Sequence, residues 1–171
     1  MLLTLAPCPH AEKLALSVVI TLEPVGVVVG GRSEAIDDDW GGVEAVIRLD
    51  DAQFGPDAVA GLAAFSHLVV VFLFHLVDPA DVETGARRPR GNPEWPEVGM
   101  FAQRARMRPN RLGVSTCRLL AVEGLDLHVR GLDAIASSPV LDVKPFIREF
   151  EPPATDVRQP TWSTELMQGY Y

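Results

Sequence analysis

The sequence predicts a mainly all-β domain, a barrel or a sandwich, on three observations. Short runs rich in β-branched residues recur along the 171-residue chain. Fourteen glycines and fourteen prolines punctuate them too often for a helical bundle. A single stretch reads as a helix. A chain of this length fits one domain and can close a real core.

In chain order, Ser17–Leu22 and Val25–Val29 are β-branched and flank Glu23-Pro24, a turn or strand break. Val43–Leu49 sets Val43, Ala45 and Ile47 on one face, with Glu44 and Arg48 offset. Gly55–Ala64 (GPDAVAGLAA) reads as the one short helix, with Pro56 in its first turn. His67–Leu76 (HLVVVFLFHL) is apolar on both faces, and its valines and phenylalanines favour a buried strand. The proline- and arginine-rich segment between Val77 and Gly99 reads as a long loop, functional or mobile. Ser115–Val122 and Leu125–Val129 form a hairpin around Glu123-Gly124, and Val140–Val143 is a further strand. From Glu151 the chain reads as an extended strap with a short terminal helix.

Charge narrows the function. The net charge is −8, a poor start for a nucleic-acid binder, because phosphate contacts need local positive charge. That charge is segregated, however. Gly85–Arg118 holds eight arginines and two acids, Glu94 and Glu97, so it carries +6 and the other 137 residues carry −14. Such a segment suits an anionic partner, or its arginines pair with the acidic remainder. Two cysteines, Cys8 and Cys117, provide neither a disulfide framework nor a CxxC knuckle. The longest strongly apolar run, Leu68–Val77, is too short to span a bilayer as a helix. The amino end has no basic region ahead of its apolar residues and is broken by Pro7 and Pro9, so a cytoplasmic protein without a membrane partner is expected.

Three clusters could carry chemistry. His67 and His75 are eight apart and share a face if the strand is regular. No third ligand lies at metal spacing, so no metal site is expected; His67 reads as a hydrogen-bonded core residue and His75 as the functional candidate. Asp37-Asp38-Asp39-Trp40-Gly41-Gly42 reads as a solvated loop, a magnesium site or a contact for a basic partner. Asp142 and Lys144 flank Val143 and read as an internal ion pair.

Three ordered blocks then narrow the choice. They are Phe65-Ser66-His67-Leu68 running into Phe74-His75; Gly99–Arg104 with Arg108-Pro109-Asn110 and Gly113-Val114-Ser115; and Pro139–Phe146. Together they resemble the TsaA-like (TrmO) family, whose patterns read FSHLwvlf-fH, GvFAtRspfRPNpiGlS and DGTPvlDiKPy. The resemblance implies a small closed β-barrel over 17–150, between an extension over 1–16 and the strap over 151–171. It also implies binding of S-adenosylmethionine, a homodimer, and methylation of N6 of threonylcarbamoyladenosine beside the tRNA anticodon. By position, the implied cofactor site includes His75, Leu76, Arg104, Val114, Ala134, Ile135, Ala136 and Ser137. Asp39 and Trp40, which stand where the family has Pro-Arg-Gln, belong to the implied cofactor site as well. Arg106, Arg108, Asn110 and Arg111 fall in the signature and are candidates for contact with the methyl acceptor.

In that setting Arg104 suits the cofactor's carboxylate, and His75 is either a proton acceptor or a hydrogen-bond partner of the cofactor. Arginine stays protonated and cannot be the base. The sequence departs from the family at Ala136-Ser137-Ser138-Pro139, which replaces DGTP and loses its aspartate. Three further readings stand beside tRNA methylation: a small-molecule methyl acceptor, a non-catalytic S-adenosylmethionine-binding module, and a non-enzymatic nucleic-acid adaptor.

Overall fold

The β-branched segments pair side by side until no open edge is left. A computed structural model describes residues 20–171. Its strands are β1 (Gly26–Val29), β2 (Glu44–Leu49), β3 (His67–Leu73), the short β4 (Ala86–Arg87) and β5 (Val98–Gly99), β6 (Leu112–Glu123), β7 (Asp126–Arg130) and β8 (Pro139–Pro145). Six of them close a barrel in the order β1-β2-β7-β6-β3-β8, every pair antiparallel, while β4 and β5 form a separate ribbon. Closure removes the unpaired edges that an open sheet would expose. Irregularities between Val71 and Phe72 and between Leu119 and Ala121 interrupt the ladders, as tightly curved sheets require.

Period-2 alternation fills the inside. Ala45, Ile47 and Leu49 of β2 point inward, while Glu44 and Arg48 stay in solvent. On β3, Leu68, Val70 and Phe72 are fully buried, whereas Val69, Val71 and Leu73 lie half-buried on the outer surface. Cys117, Leu119, Leu127, Val129 and Val140 complete the core. Gly113, paired with Phe72 on the neighbouring strand, lets the Phe72 ring lie flat over it: a Cβ there would sit 2.5 Å from Cε2 and 2.7 Å from Cε1. The turn between β6 and β7 is Gly124-Leu125, one residue later than the spacing suggests, and Gly124 (φ 61°) takes the left-handed position.

Several expectations need correction. Gly55–Ala64 is not an α-helix but two 3-10 turns, Pro56–Val59 and Leu62–Ala64, parted by Gly61 at φ 81°. Of the Ser17–Leu22 strand, 17–19 lie outside the described residues, and Ile20–Leu22 form no strand. The 1–16 extension also lies outside them. β3 stops at Leu73, so His67 and His75 do not share a strand face. Asp142 and Lys144 do pair, but on the outer surface rather than internally. The strap does end in a helix, α1 (Thr161–Leu166).

Candidate functional site at one barrel mouth

β1, β3 and β7 finish at the same end of the barrel at which β2, β6 and β8 begin. Three loops therefore converge there, spanning 30–43, 74–111 and 131–138. All the candidate residues lie on these loops, except Val114 at the start of β6. Residues a hundred positions apart in sequence are thus gathered at one mouth.

Hydrogen bonds lock the loops together. Arg32 donates to the carbonyls of Asp38 (2.7 Å) and Asp39 (2.9 Å), and its guanidinium lies 4.4 Å from the centre of the buried Trp40 ring. The Ala136 amide donates to the Arg32 carbonyl and the Ser137 amide to that of Val28, both at 2.8 Å. The Ser138 hydroxyl meets Nδ1 of His75 at 3.3 Å. Arg104 donates to the carbonyl of Val114. Among the described residues, the non-glycine ones with positive φ are Asp39 (63°), Arg90 (49°), Arg111 (51°) and Ser137 (66°), and all four belong to these loops. Strain of this kind persists only where the surroundings over-determine the backbone, and it concentrates at functional sites.

The aspartate run finds its basic partner within the chain. Arg90 makes two bonds to the Asp38 carboxylate, at 3.0 and 2.7 Å, and Arg106 lies 3.5 Å from Asp37. Among the described residues, no group of three or more His, Cys, Asp or Glu is placed to hold a metal. Much of the arginine segment is likewise spoken for. Arg87 pairs with Glu83, while Arg88, Arg104, Arg108 and Arg111 donate to main-chain carbonyls. Arg111 reaches the carbonyl of Val77 (2.8 Å), tying the end of the signature to the chain leaving β3. Asn110 remains exposed, and Arg118 faces Arg130 across the β6–β7 pair on the outer surface. Burial and the nearby Asp133 carboxylate push the Cys117 thiol up to about 12, which leaves it protonated and unreactive.

Three residues at the mouth escape sequence reading. The Tyr170 hydroxyl donates to Oδ2 of Asp133 at 2.6 Å, while Oδ1 of Asp133 is buried with no hydrogen-bond partner among the described residues. The Tyr171 phenol lies beside the buried Ser115 hydroxyl, which makes no hydrogen bond of normal geometry. No periodicity or motif marks Tyr170 and Tyr171; Asp133 could have been suspected only from its place beside Ala134–Ser137.

A zwitterion fits this set of groups. Arg104 offers a fork for a carboxylate, and the free oxygen of Asp133 calls for an ammonium or hydroxyl donor, while the buried Trp40 ring is already covered by Arg32. Two hollows in the surface open elsewhere. One, of about 290 Å³, lies between Val69, Phe146 and Phe150 on the outside; the other lies beside Pro24, Asp50 and Asp126. Neither contains a residue of the implied cofactor or acceptor set, although Lys144 lines the first.

Comparison with known proteins agrees with the fold and the three sequence blocks. Residues 39–152 match the family described as tRNA-methyltransferase O N-terminal domain. The rat protein named tRNA (adenine(37)-N6)-methyltransferase is 29% identical over 88% of this chain and 36% of its own length. A probable S-adenosyl-L-methionine-binding protein of Methanothermobacter thermautotrophicus is 40% identical over 77% of this chain and 93% of its own. The crystal structure of TrmO from Pseudomonas aeruginosa superposes with a TM-score of 0.66 at 26% identity, covering 82% of this chain and 62% of that one. The chain spans roughly a fifth to two fifths of the rat, human and mouse methyltransferases it matches.

Proposed function

The chain belongs to the family of tRNA-methyltransferase O N-terminal domains, and from that premise we propose that it binds S-adenosylmethionine at the barrel mouth and directs its methyl group to an adenine of tRNA. The observation that carries this reading is the convergence of His75, Arg104 and Asp133 on one mouth, with a buried carboxylate oxygen left over for a ligand. When bound, S-adenosylmethionine supplies a methyl already activated on a sulfonium. The protein's task is then alignment and exclusion of water, and positioning of that kind supplies about 7–11 kcal/mol. Arg104 holds the carboxylate, and Asp133 takes a donor of the cofactor. With Nδ1–H donating to the Ser138 hydroxyl the His75 ring is fixed, and Nε2 carries the lone pair that accepts a proton from the acceptor amine.

At finer grain, the acceptor is N6 of threonylcarbamoyladenosine next to the anticodon, met by Arg106, Arg108, Asn110 and Arg111, in a cytoplasmic enzyme. The working form is a homodimer; the half-buried Val69, Val71 and Leu73 and the exposed Val114 give the outer barrel surface an apolar patch suited to a second copy. We divide the chain into the extension over 1–16, the barrel domain over 17–150 and the strap over 151–171.

A second reading keeps the cofactor and exchanges tRNA for a small molecule. It is favoured by the seven arginines of Gly85–Arg118 that already hold carboxylates or carbonyls, which reduces the charge free for phosphates. Nucleoside mass spectrometry of tRNA from wild-type and deletion strains decides between them. Loss of methylated threonylcarbamoyladenosine on deletion is expected for the first reading. An unchanged profile, with S-adenosylmethionine still bound by the purified protein, supports the second.

A further inference from the structure

We propose that Met167–Tyr171 is a strap docked in the candidate cofactor site, and that the cofactor and this segment occupy the mouth by turns. The inference rests on the S-adenosylmethionine reading. Two main-chain bonds tie the strap to the aspartate loop: the Asp39 amide donates to the Gly169 carbonyl and the Trp40 amide to the Tyr170 carbonyl, both at 2.8 Å. Gly41 is shaped to it. A Cβ at that position would stand 2.5 Å from the main-chain carbonyl carbon of Tyr171. The Tyr170 and Tyr171 rings pack edge to face with centroids 4.9 Å apart.

What the strap touches is what the cofactor would need. Tyr170 takes one oxygen of Asp133, and Tyr171 lies near Arg104 and Ser115. Burial and the Asp133 charge raise the titration of both phenols, and the Tyr170 hydrogen bond sets that ring against the carboxylate. A ligand that approaches Asp133 or the Asp39–Trp40 main chain therefore meets groups the strap already holds.

The geometry also lets the strap leave. Its anchor is separate: Trp95 donates from Nε1 to Glu165 of α1 at 2.8 Å and packs on Trp162, with ring centroids 6.4 Å apart. Beyond that anchor Gly169 adopts φ 78°, a conformation that places a flexible residue directly before the two tyrosines. Tyr171 is 56% exposed and Met167 43%, so lifting the segment uncovers little core. A site available only when the strap is away binds with an affinity reduced by the fraction of time it is open.

The test titrates S-adenosylmethionine calorimetrically into the full chain, a chain stopped after Gln168, and Tyr170→Phe. With the strap undocked only about a tenth of the time, truncation tightens binding about tenfold and Tyr170→Phe by a smaller factor. Should truncation prevent folding, Tyr170→Phe decides alone. Unchanged or weaker binding by the shortened chain or Tyr170→Phe overturns the strap and leaves the cofactor reading standing. No binding heat in any of the three proteins overturns the cofactor reading, and the strap with it.

Discussion

Replacing Gly113 by alanine should damage the barrel in a way that can be traced to one ring. The added methyl would stand 2.5 and 2.7 Å from Cε2 and Cε1 of Phe72, well inside van der Waals contact. Phe72 is 1% exposed and meets Phe74 edge to face at 5.1 Å, so it has nowhere to retreat. Overpacking a core in this way costs about 1–3 kcal/mol. In a domain of this size that is a fall in Tm of about 2–12 °C, read by calorimetry or circular dichroism. Because Gly113 precedes Val114, whose carbonyl holds Arg104, S-adenosylmethionine binding should weaken too. Phe72→Leu in the Gly113→Ala background should restore part of the loss, with the double variant more stable than the sum of the two single losses by about 0.5–3 kcal/mol. Strict additivity, or an unchanged Tm for Gly113→Ala, would refute the reasoning that this glycine exists to admit Phe72.

Two other outcomes can be checked on the same protein. Cys117 is held protonated up to about 12, against an ordinary thiol value near 9, and Tyr170 and Tyr171 are shifted upward as well. Above about pH 9 the unfolded chain binds fewer protons than the folded one, so stability falls as pH rises from 9 to 12, by up to about 4 kcal/mol for the thiol alone. Urea midpoints should decline over that window and decline less in Cys117→Ala; a flat profile would contradict the burial of the thiol. Ser137 holds φ 66° where the family pattern has glycine. Ser137→Gly should relieve about 1–2 kcal/mol of left-handed strain against about 0.5–1 kcal/mol of added chain entropy, for a small rise in Tm. A fall would mean that the serine side chain itself stabilises the loop.

The strands were legible because β-branched residues at period 2 leave a strong signature. The sides of β2 follow directly from Ala45 and Ile47 against Glu44 and Arg48. The stretch around Pro56 misleads because its alanines satisfy helix propensity while Gly61 enters the left-handed region and splits it into 3-10 turns. His67 and His75 misled through an assumed regular strand, which ends at Leu73 as the chain turns to bring its Phe74 amide to the Arg111 carbonyl. Asp37 and Asp38 look like a solvated run until the fold sets them against Arg106 and Arg90. The site residues that the family blocks mark were found on the loops of one mouth. Asp133, Tyr170 and Tyr171 were not anticipated, because their contacts join segments 37 residues apart and follow no local pattern.

Everything functional here depends on the mouth being a site for S-adenosylmethionine, and Arg104 is its plainest charged contact. Titration of the wild type and Arg104→Ala with S-adenosylmethionine tests this directly. Saturable heat is expected for the wild type. Loss of a charge-assisted bond of about 1.5–3 kcal/mol should weaken the variant by roughly ten- to a hundredfold. Equal affinities would remove Arg104 from the site, and no heat with the wild type would contradict a cofactor site at the mouth.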